Sequence, residues 1–94
     1  MGTFFLTGRY SAEATKGISS ERTKKARDVI RKLGGELKDA YALLGDSDLV
    51  LIVEMPNMTE AMKASILLSQ QTGISFTTAA AVPVEEFDKM LGNL

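Results

Sequence analysis

The chain opens with an alternation of apolar and polar residues. Along Thr3–Tyr10 the side chains of Phe4, Leu6 and Tyr10 share one side, and this period of two predicts a β-strand. The following stretch, Ser11–Ser20, is polar and contains a glycine, so it predicts a loop.

A helical period follows the loop. Apolar residues in Glu21–Leu33 recur at intervals of three and four, which predicts an amphipathic helix with Ser19 or Ser20 as its N-cap. Gly34-Gly35 then predicts a left-handed C-cap. The residues of the apolar stripe are Ala26, Val29, Ile30 and Leu33.

Two further strands are separated by only three residues, Gly45-Asp46-Ser47, so they predict an antiparallel hairpin. In the first strand, Glu36–Leu44, the alternation places Leu37, Tyr41 and Leu43 on one face. The second strand, Asp48–Glu54, is apolar at every position from Leu49 to Val53, which predicts burial on both faces.

A second long helix, a fourth strand and a short terminal helix complete the pattern. Asn57 as N-cap with Glu60 three residues later has the form of a capping box, and the helix is expected to run to about Gln71. Gly73 ends it, and Ile74–Val82 alternates as a strand. The terminal helix carries one apolar stripe, formed by Val84, Phe87, Leu91 and Leu94.

The order β-α-β-β-α-β with a short C-terminal helix predicts an α+β, ferredoxin-like fold, with residues 1–94 as a single domain. Both long helices then cover one face of an antiparallel sheet, and the other face stays apolar and open. The simplest closed arrangement is a homodimer in which two sheets pack face to face, with higher oligomers as an extension. The alternative is that the terminal helix folds back over the open face of its own subunit.

Composition excludes several kinds of chemistry. The 94 residues contain neither cysteine nor histidine, which removes thiolate nucleophiles, disulfides, the commonest metal ligand and any Ser-His-Asp arrangement. We therefore expect no metal site and no cofactor. The sequence has no targeting segment and no apolar run approaching the roughly 20 residues that span a bilayer, so we expect a cytoplasmic protein with no membrane partner.

Charge is divided unevenly along the chain. Residues 1–40 carry nine basic and five acidic side chains, whereas residues 41–94 carry two and seven, and the net charge is −1. The basic residues concentrate in the first long helix, where they form either a solvated face or a phosphate-binding surface. The acidic sequence pI of about 5.4 argues against nucleic acid as a partner.

The hairpin turn holds the first pair of candidate ligand-binding residues, Gly45 and Asp48. In the structural interpretation, Gly45 allows a positive φ and Asp48 accepts hydrogen bonds from turn amides. In the functional interpretation, the turn presents N–H groups and a carboxylate to a small polar ligand.

Four strand residues are further candidates for ligand binding: Arg9, Tyr10, Tyr41 and Thr77. The tyrosines either pack in the core or an interface, or line a pocket with the hydroxyl at its edge. Arg9 is either a solvent-facing charge or the anion anchor of a pocket. Thr77 is either a good strand former or a source of a hydroxyl group.

The segment Tyr41-Ala-Leu-Leu-Gly-Asp-Ser-Asp-Leu-Val50 resembles the signature of the GYD domain family. Lys32–Gly35, Val53–Pro56, Thr77-Thr78 and Glu85–Phe87 are similar to the family as well, so the resemblance covers nearly the whole chain. Ser47 stands where the family usually has the tyrosine of its name. The family is grouped with dimeric α+β barrels, so the resemblance implies a homodimer but no reaction.

Gly45-x-x-Asp48 before an apolar strand also resembles the ligand-sensing domain of leucine-responsive regulators, in which the turn holds an amino acid between subunits. The leading hypothesis is a homodimeric module that binds a small polar or aromatic ligand. One alternative is a stand-alone amino-acid sensor. The other is a cofactor-independent monooxygenase- or isomerase-like enzyme, with Asp48 as base and Arg9 stabilising an enolate.

Overall fold

The structure, a computed structural model, describes residues 1–92, and Leu94 of the predicted terminal stripe lies outside them. The described residues form one antiparallel sheet with the strand order β2-β3-β1-β4. The predicted α+β order is confirmed, with one additional short helix. The elements are β1 (Gly2–Tyr10), α1 (Ala12–Lys16), α2 (Ser20–Lys32), β2 (Glu36–Ala42), β3 (Leu49–Met55), α3 (Met58–Thr72), β4 (Ile74–Ala81) and α4 (Val84–Gly92).

The additional helix α1 lies within Ser11–Ser20, so the prediction of a loop there was wrong. Ser11 caps the helix, because its Oγ accepts a hydrogen bond from the Ala14 N–H at 2.9 Å. Ala14 is the buried residue of this helix. A five-residue helix with a single buried side chain has no apolar periodicity, so the pattern could not reveal it.

The ends of the long helices follow the predicted signals. Ser19 Oγ accepts from the Arg22 N–H at 3.1 Å, and Asn57 Oδ1 accepts from the Glu60 N–H at 2.9 Å. The Glu60 carboxylate is bonded by Lys63 at 3.2 Å. Gly34 follows α2 with φ +86°, and Gly73 ends α3 with φ +75°, as expected for left-handed C-terminal glycines.

The hydrophobic core lies between one face of the sheet and the helices α2 and α3. Its largest fully buried side chains are Leu6, Ile30, Val53, Met55 and Leu68. Along β3 the buried residues Leu51, Val53 and Met55 alternate with partly exposed residues. Within the described chain β3 is therefore covered on one face, and the expected burial on both faces is not found.

The predicted placement of Leu37, Tyr41 and Leu43 on one face was wrong, because β2 contains a β-bulge. The register passes from Leu37 opposite Val53 to Asp39 opposite Ile52, so one residue is inserted between them. An inserted residue reverses the alternation of side chains that follow it. Leu37 is consequently buried in the core, whereas Tyr41 is 55% exposed on the opposite face and Leu43 lies beyond the end of β2.

The second face of the sheet, which we call the open face, has no helix packed on it. The terminal helix α4 has no buried residue, and its apolar side chains are about half exposed or more. The described residues 84–92 therefore do not fold back over the sheet of their own subunit, as the alternative prediction held. The open face is formed by Thr3, Phe5, Thr7 and Arg9 of β1, Val50, Ile52 and Glu54 of β3, and their neighbours Asp39, Tyr41, Ser75, Thr77 and Ala79.

Replacement of Leu6 by alanine should destabilise the protein by about 2–5 kcal/mol, because Leu6 is fully buried on a central strand. The matched control is Leu44→Ala, since Leu44 is fully exposed and its loss should leave stability within about 0.5 kcal/mol. Urea unfolding at fixed protein concentration measures both. Equal effects of the two substitutions would contradict the placement of the core.

Candidate ligand-binding site

A cavity of about 90 Å³ lies between the helix-covered face of the sheet and the first turns of α2. Its walls are mainly apolar, and its polar groups are four hydroxyls and one guanidinium. The lining residues are Tyr10, Ile18, Ser19, Arg22, Thr23, Ala26, Ala40, Leu49, Leu51, Leu68, Thr72, Ile74 and Phe76.

Gly8 sets the shape of the sheet beneath this cavity. A Cβ atom at this position would lie 2.7 Å from Ile74 Cγ2 and 2.9 Å from Phe76 Cε1. Both distances are too short for carbon atoms, so a larger residue would displace the two β4 side chains. Glycine therefore lets Ile74 and Phe76 lie directly over β1, where they line the cavity.

Two contacts hold Arg22 at the cavity. Its guanidinium carbon lies 5.4 Å from the centre of the Tyr10 ring, within the range of a cation–π contact. Its Nη1 donates to the Ala14 carbonyl oxygen at 2.5 Å. Helix α1 thus positions Arg22. In the sequence, Arg22 stands out only as one of several basic residues in a helix, so the pattern did not predict it as a site residue. Its position three residues after the N-cap Ser19 was the available signal.

Asp48 joins the hairpin turn to the end of β1. Its Oδ2 accepts a hydrogen bond from the Tyr10 N–H at 2.8 Å, and its own N–H donates to the Gly8 carbonyl at 2.8 Å. The Asp48 carbonyl accepts from the Leu43 N–H at 2.8 Å, which closes the turn. The carboxylate therefore binds a backbone amide, as the structural interpretation held, but the amide belongs to β1 rather than to the turn.

Gly45 does not have the conformation predicted for it. Among residues 1–92 positive φ angles occur at Gly34 and Gly73, and Gly45 is not one of them. A Cβ added at Gly45 would meet nothing within 4 Å. The turn conformation therefore does not require glycine at this position.

Arg9, Tyr41 and Thr77 all lie on the open face, away from the cavity that Tyr10 lines. Arg9 Nε donates to the Asp46 carbonyl at 2.6 Å, and Thr77 Oγ1 donates to the Thr7 carbonyl at 3.4 Å. A shallow groove beside them is lined by Thr7, Arg9, Asp46, Ser47, Ser75, Phe76 and Thr77. The six candidate residues thus do not form one site.

Residues 1–92 contain no group of three His, Cys, Asp or Glu side chains placed to hold a metal ion. None of the helices in the same part of the chain combines the length and apolar composition needed to cross a bilayer.

Fold comparison places the chain among ferredoxin-like domains of the kind found in Lrp/AsnC regulators. It aligns with the Mycobacterium tuberculosis leucine response regulatory protein at a TM-score of 0.57 and 8% identity, covering 87% of this chain and 51% of that one. It aligns with an AsnC family transcriptional regulator from Agrobacterium tumefaciens at a TM-score of 0.56 and 22% identity, covering 86% and 50%. The chain spans about half the length of these regulators.

The family itself is defined by sequence. Residues 4–91 match the GYD domain, and the chain belongs to the GYD domain family. No curated protein matches the chain significantly. The resemblance inferred from the hairpin signature is therefore confirmed over nearly the whole sequence.

Replacement of Asp48 by alanine should destabilise the protein by about 1–2 kcal/mol, because the Tyr10 N–H loses its acceptor. Asp46→Ala is the matched control, since the hydrogen bond of Asp46 to Arg9 uses the backbone oxygen. Thermal unfolding of both variants provides the measurement. A loss of stability in Asp46→Ala as large as that in Asp48→Ala would contradict the structural role of the Asp48 carboxylate.

Proposed function

We propose that this GYD protein is a homodimeric module that binds a small ligand in the cavity between β1 and α2. The observation that carries the proposal is the cavity itself, which has mainly apolar walls with one guanidinium and several hydroxyl groups among them. Small-molecule sites have this composition, in which apolar walls supply affinity and a few polar groups fix orientation. A similar fold in a protein named as a leucine response regulator supports a ligand-responsive role.

The open face supports the homodimer. It presents Phe5, Tyr41, Val50 and Ile52 to solvent in one contiguous surface, although β1 and β3 are the central strands of the sheet. An apolar surface of this kind favours association, and a two-fold axis buries the same surface of both subunits at once.

Charge at the two ends of β1 supports one orientation of the partner. Arg9 lies at one end of the open face and Glu54, opposite Thr3, lies at the other. A two-fold axis in the plane of the interface and perpendicular to the strands reverses the strand direction. It would bring Arg9 of each subunit toward the Glu54 end of the other subunit.

The geometry favours binding over catalysis by Asp48 and Arg9. The Asp48 carboxylate accepts the Tyr10 N–H, and Arg9 Nε is bonded to the Asp46 carbonyl. Neither side chain lines the cavity. A general base must reach the proton it removes, so the enzyme alternative has no support from these two residues.

Substitution of Ile52 by lysine should convert the dimer into a monomer, because it places a charge at the centre of the open face. The matched control is Ile66→Lys, since Ile66 is 56% exposed on the helical layer and should tolerate the charge. Light scattering after gel filtration gives the mass of each variant. A wild-type monomer at about 100 μM, a concentration at which a standard-sized interface is occupied, would contradict the proposed interface.

Enlargement of Ala26, which lines the cavity, to leucine should abolish binding of 1-butanol, a neutral probe small enough for a cavity of about 90 Å³. Arg27→Leu, on the adjacent exposed position of α2, should bind the probe as the wild type does. Chemical-shift changes at Leu68, Thr72 and Phe76 report occupancy. Failure of the wild type to bind at millimolar probe, or undiminished binding by Ala26→Leu, would contradict the cavity as the site.

A further inference from the structure

We infer that the ligand of this cavity is a small organic acid whose carboxylate pairs with Arg22 while its apolar part occupies the cavity. This inference rests on the ligand-binding function proposed above and specifies its chemistry. It uses a residue outside the six candidates of the sequence analysis, at a site distinct from the hairpin turn and the open face.

The charge at the cavity favours an anionic ligand. Arg22 is the only charged side chain among the described residues that line the cavity. Within residues 1–92 no carboxylate lies within 4.0 Å of its guanidinium, and the ion pairs present are Lys16–Glu13, Lys38–Glu36 and Lys63–Glu60. Arg22 is half-buried, so its charge is partly desolvated without an anionic partner. An anionic ligand would supply that partner.

The guanidinium of Arg22 is held in a fixed orientation. One of its five N–H groups donates to the Ala14 carbonyl, and it lies over the Tyr10 ring. These contacts fix the group and leave other N–H donors in the guanidinium plane for a ligand. A planar, pre-oriented guanidinium binds a carboxylate with two parallel hydrogen bonds, which a neutral oxygen cannot match. Arg22 also lines an adjoining cleft, where Lys25 adds a positive charge and Glu21 a negative one.

The size of the cavity and the absence of a second charge restrict the ligand further. A cavity of about 90 Å³ is smaller than the roughly 150 Å³ that holds a benzene ring, so it has room for an apolar part of about three to four non-hydrogen atoms, with the carboxylate at Arg22 beside the adjoining cleft. No carboxylate is among the described lining residues, so the ammonium of a free amino acid would be unpaired beside Arg22. The site therefore favours simple acids over zwitterions.

The test compares butyrate, 1-butanol and 2-aminobutyrate as ligands of the wild-type protein, by calorimetry or by the same chemical shifts. Butyrate should bind at least about tenfold more tightly than 1-butanol, as expected for one charge-assisted pair, and more tightly than 2-aminobutyrate. In Arg22→Gln the preference for butyrate should vanish while 1-butanol still binds. The control Arg27→Gln removes one exposed charge from the same helix and should retain the preference for butyrate.

Arg22→Lys guards against a loss of folding, because Arg22 also braces α1 through Ala14. It keeps the charge but not the two-pronged geometry, so an intermediate preference for butyrate is expected. Equal binding of butyrate and 1-butanol by the wild type, or tighter binding of 2-aminobutyrate, would overturn the inference and leave the cavity as a binding site. Binding of none of the three would overturn the proposed function together with the inference.

Discussion

The helices α2 and α3 pack on one face of a sheet whose central strand β3 carries apolar side chains on both faces. This one-sided covering governs both surfaces of the molecule. On the covered face it produces the core, from Leu6 and Val53 to Leu68. On the other face it leaves Phe5 and Ile52 without a neighbouring layer. Exposure of such an apolar surface to water costs free energy, which association with another molecule would recover.

The cavity arises where the covering layer is incomplete. Helix α2 begins at Ser20, and the short helix α1 reaches only to Lys16, so the loop between them contributes Ile18 and Ser19 to the cavity wall beside Arg22. The Asp48 carboxylate holds the Tyr10 backbone, and the Ala14 carbonyl holds Arg22 above the Tyr10 ring. A side-chain carboxylate and a backbone carbonyl from two separate segments thus position Tyr10 and Arg22, two of the polar side chains that line the cavity.

Much of the fold could be predicted from residues alone, because helices and strands follow local periodicity and capping. The N-caps Ser19 and Asn57 and the glycines Gly34 and Gly73 lie where their chemistry indicates. The site could not be predicted in the same way. Arg22 is one of several basic residues in a helix, and its contacts with Tyr10 and Ala14, which form only when the chain folds, distinguish it.

The sequence by itself determined the order of the strands and the longer helices, the caps of α2 and α3 and the membership of the GYD domain family, since each depends on residues close together along the chain. Tertiary structure decided which face each strand residue occupies after the bulge between Leu37 and Asp39, and hence that Tyr41 lies on the open face. It also decided the partners of Asp48 and Arg22. Those choices depend on contacts between distant segments, for which local periodicity carries no signal.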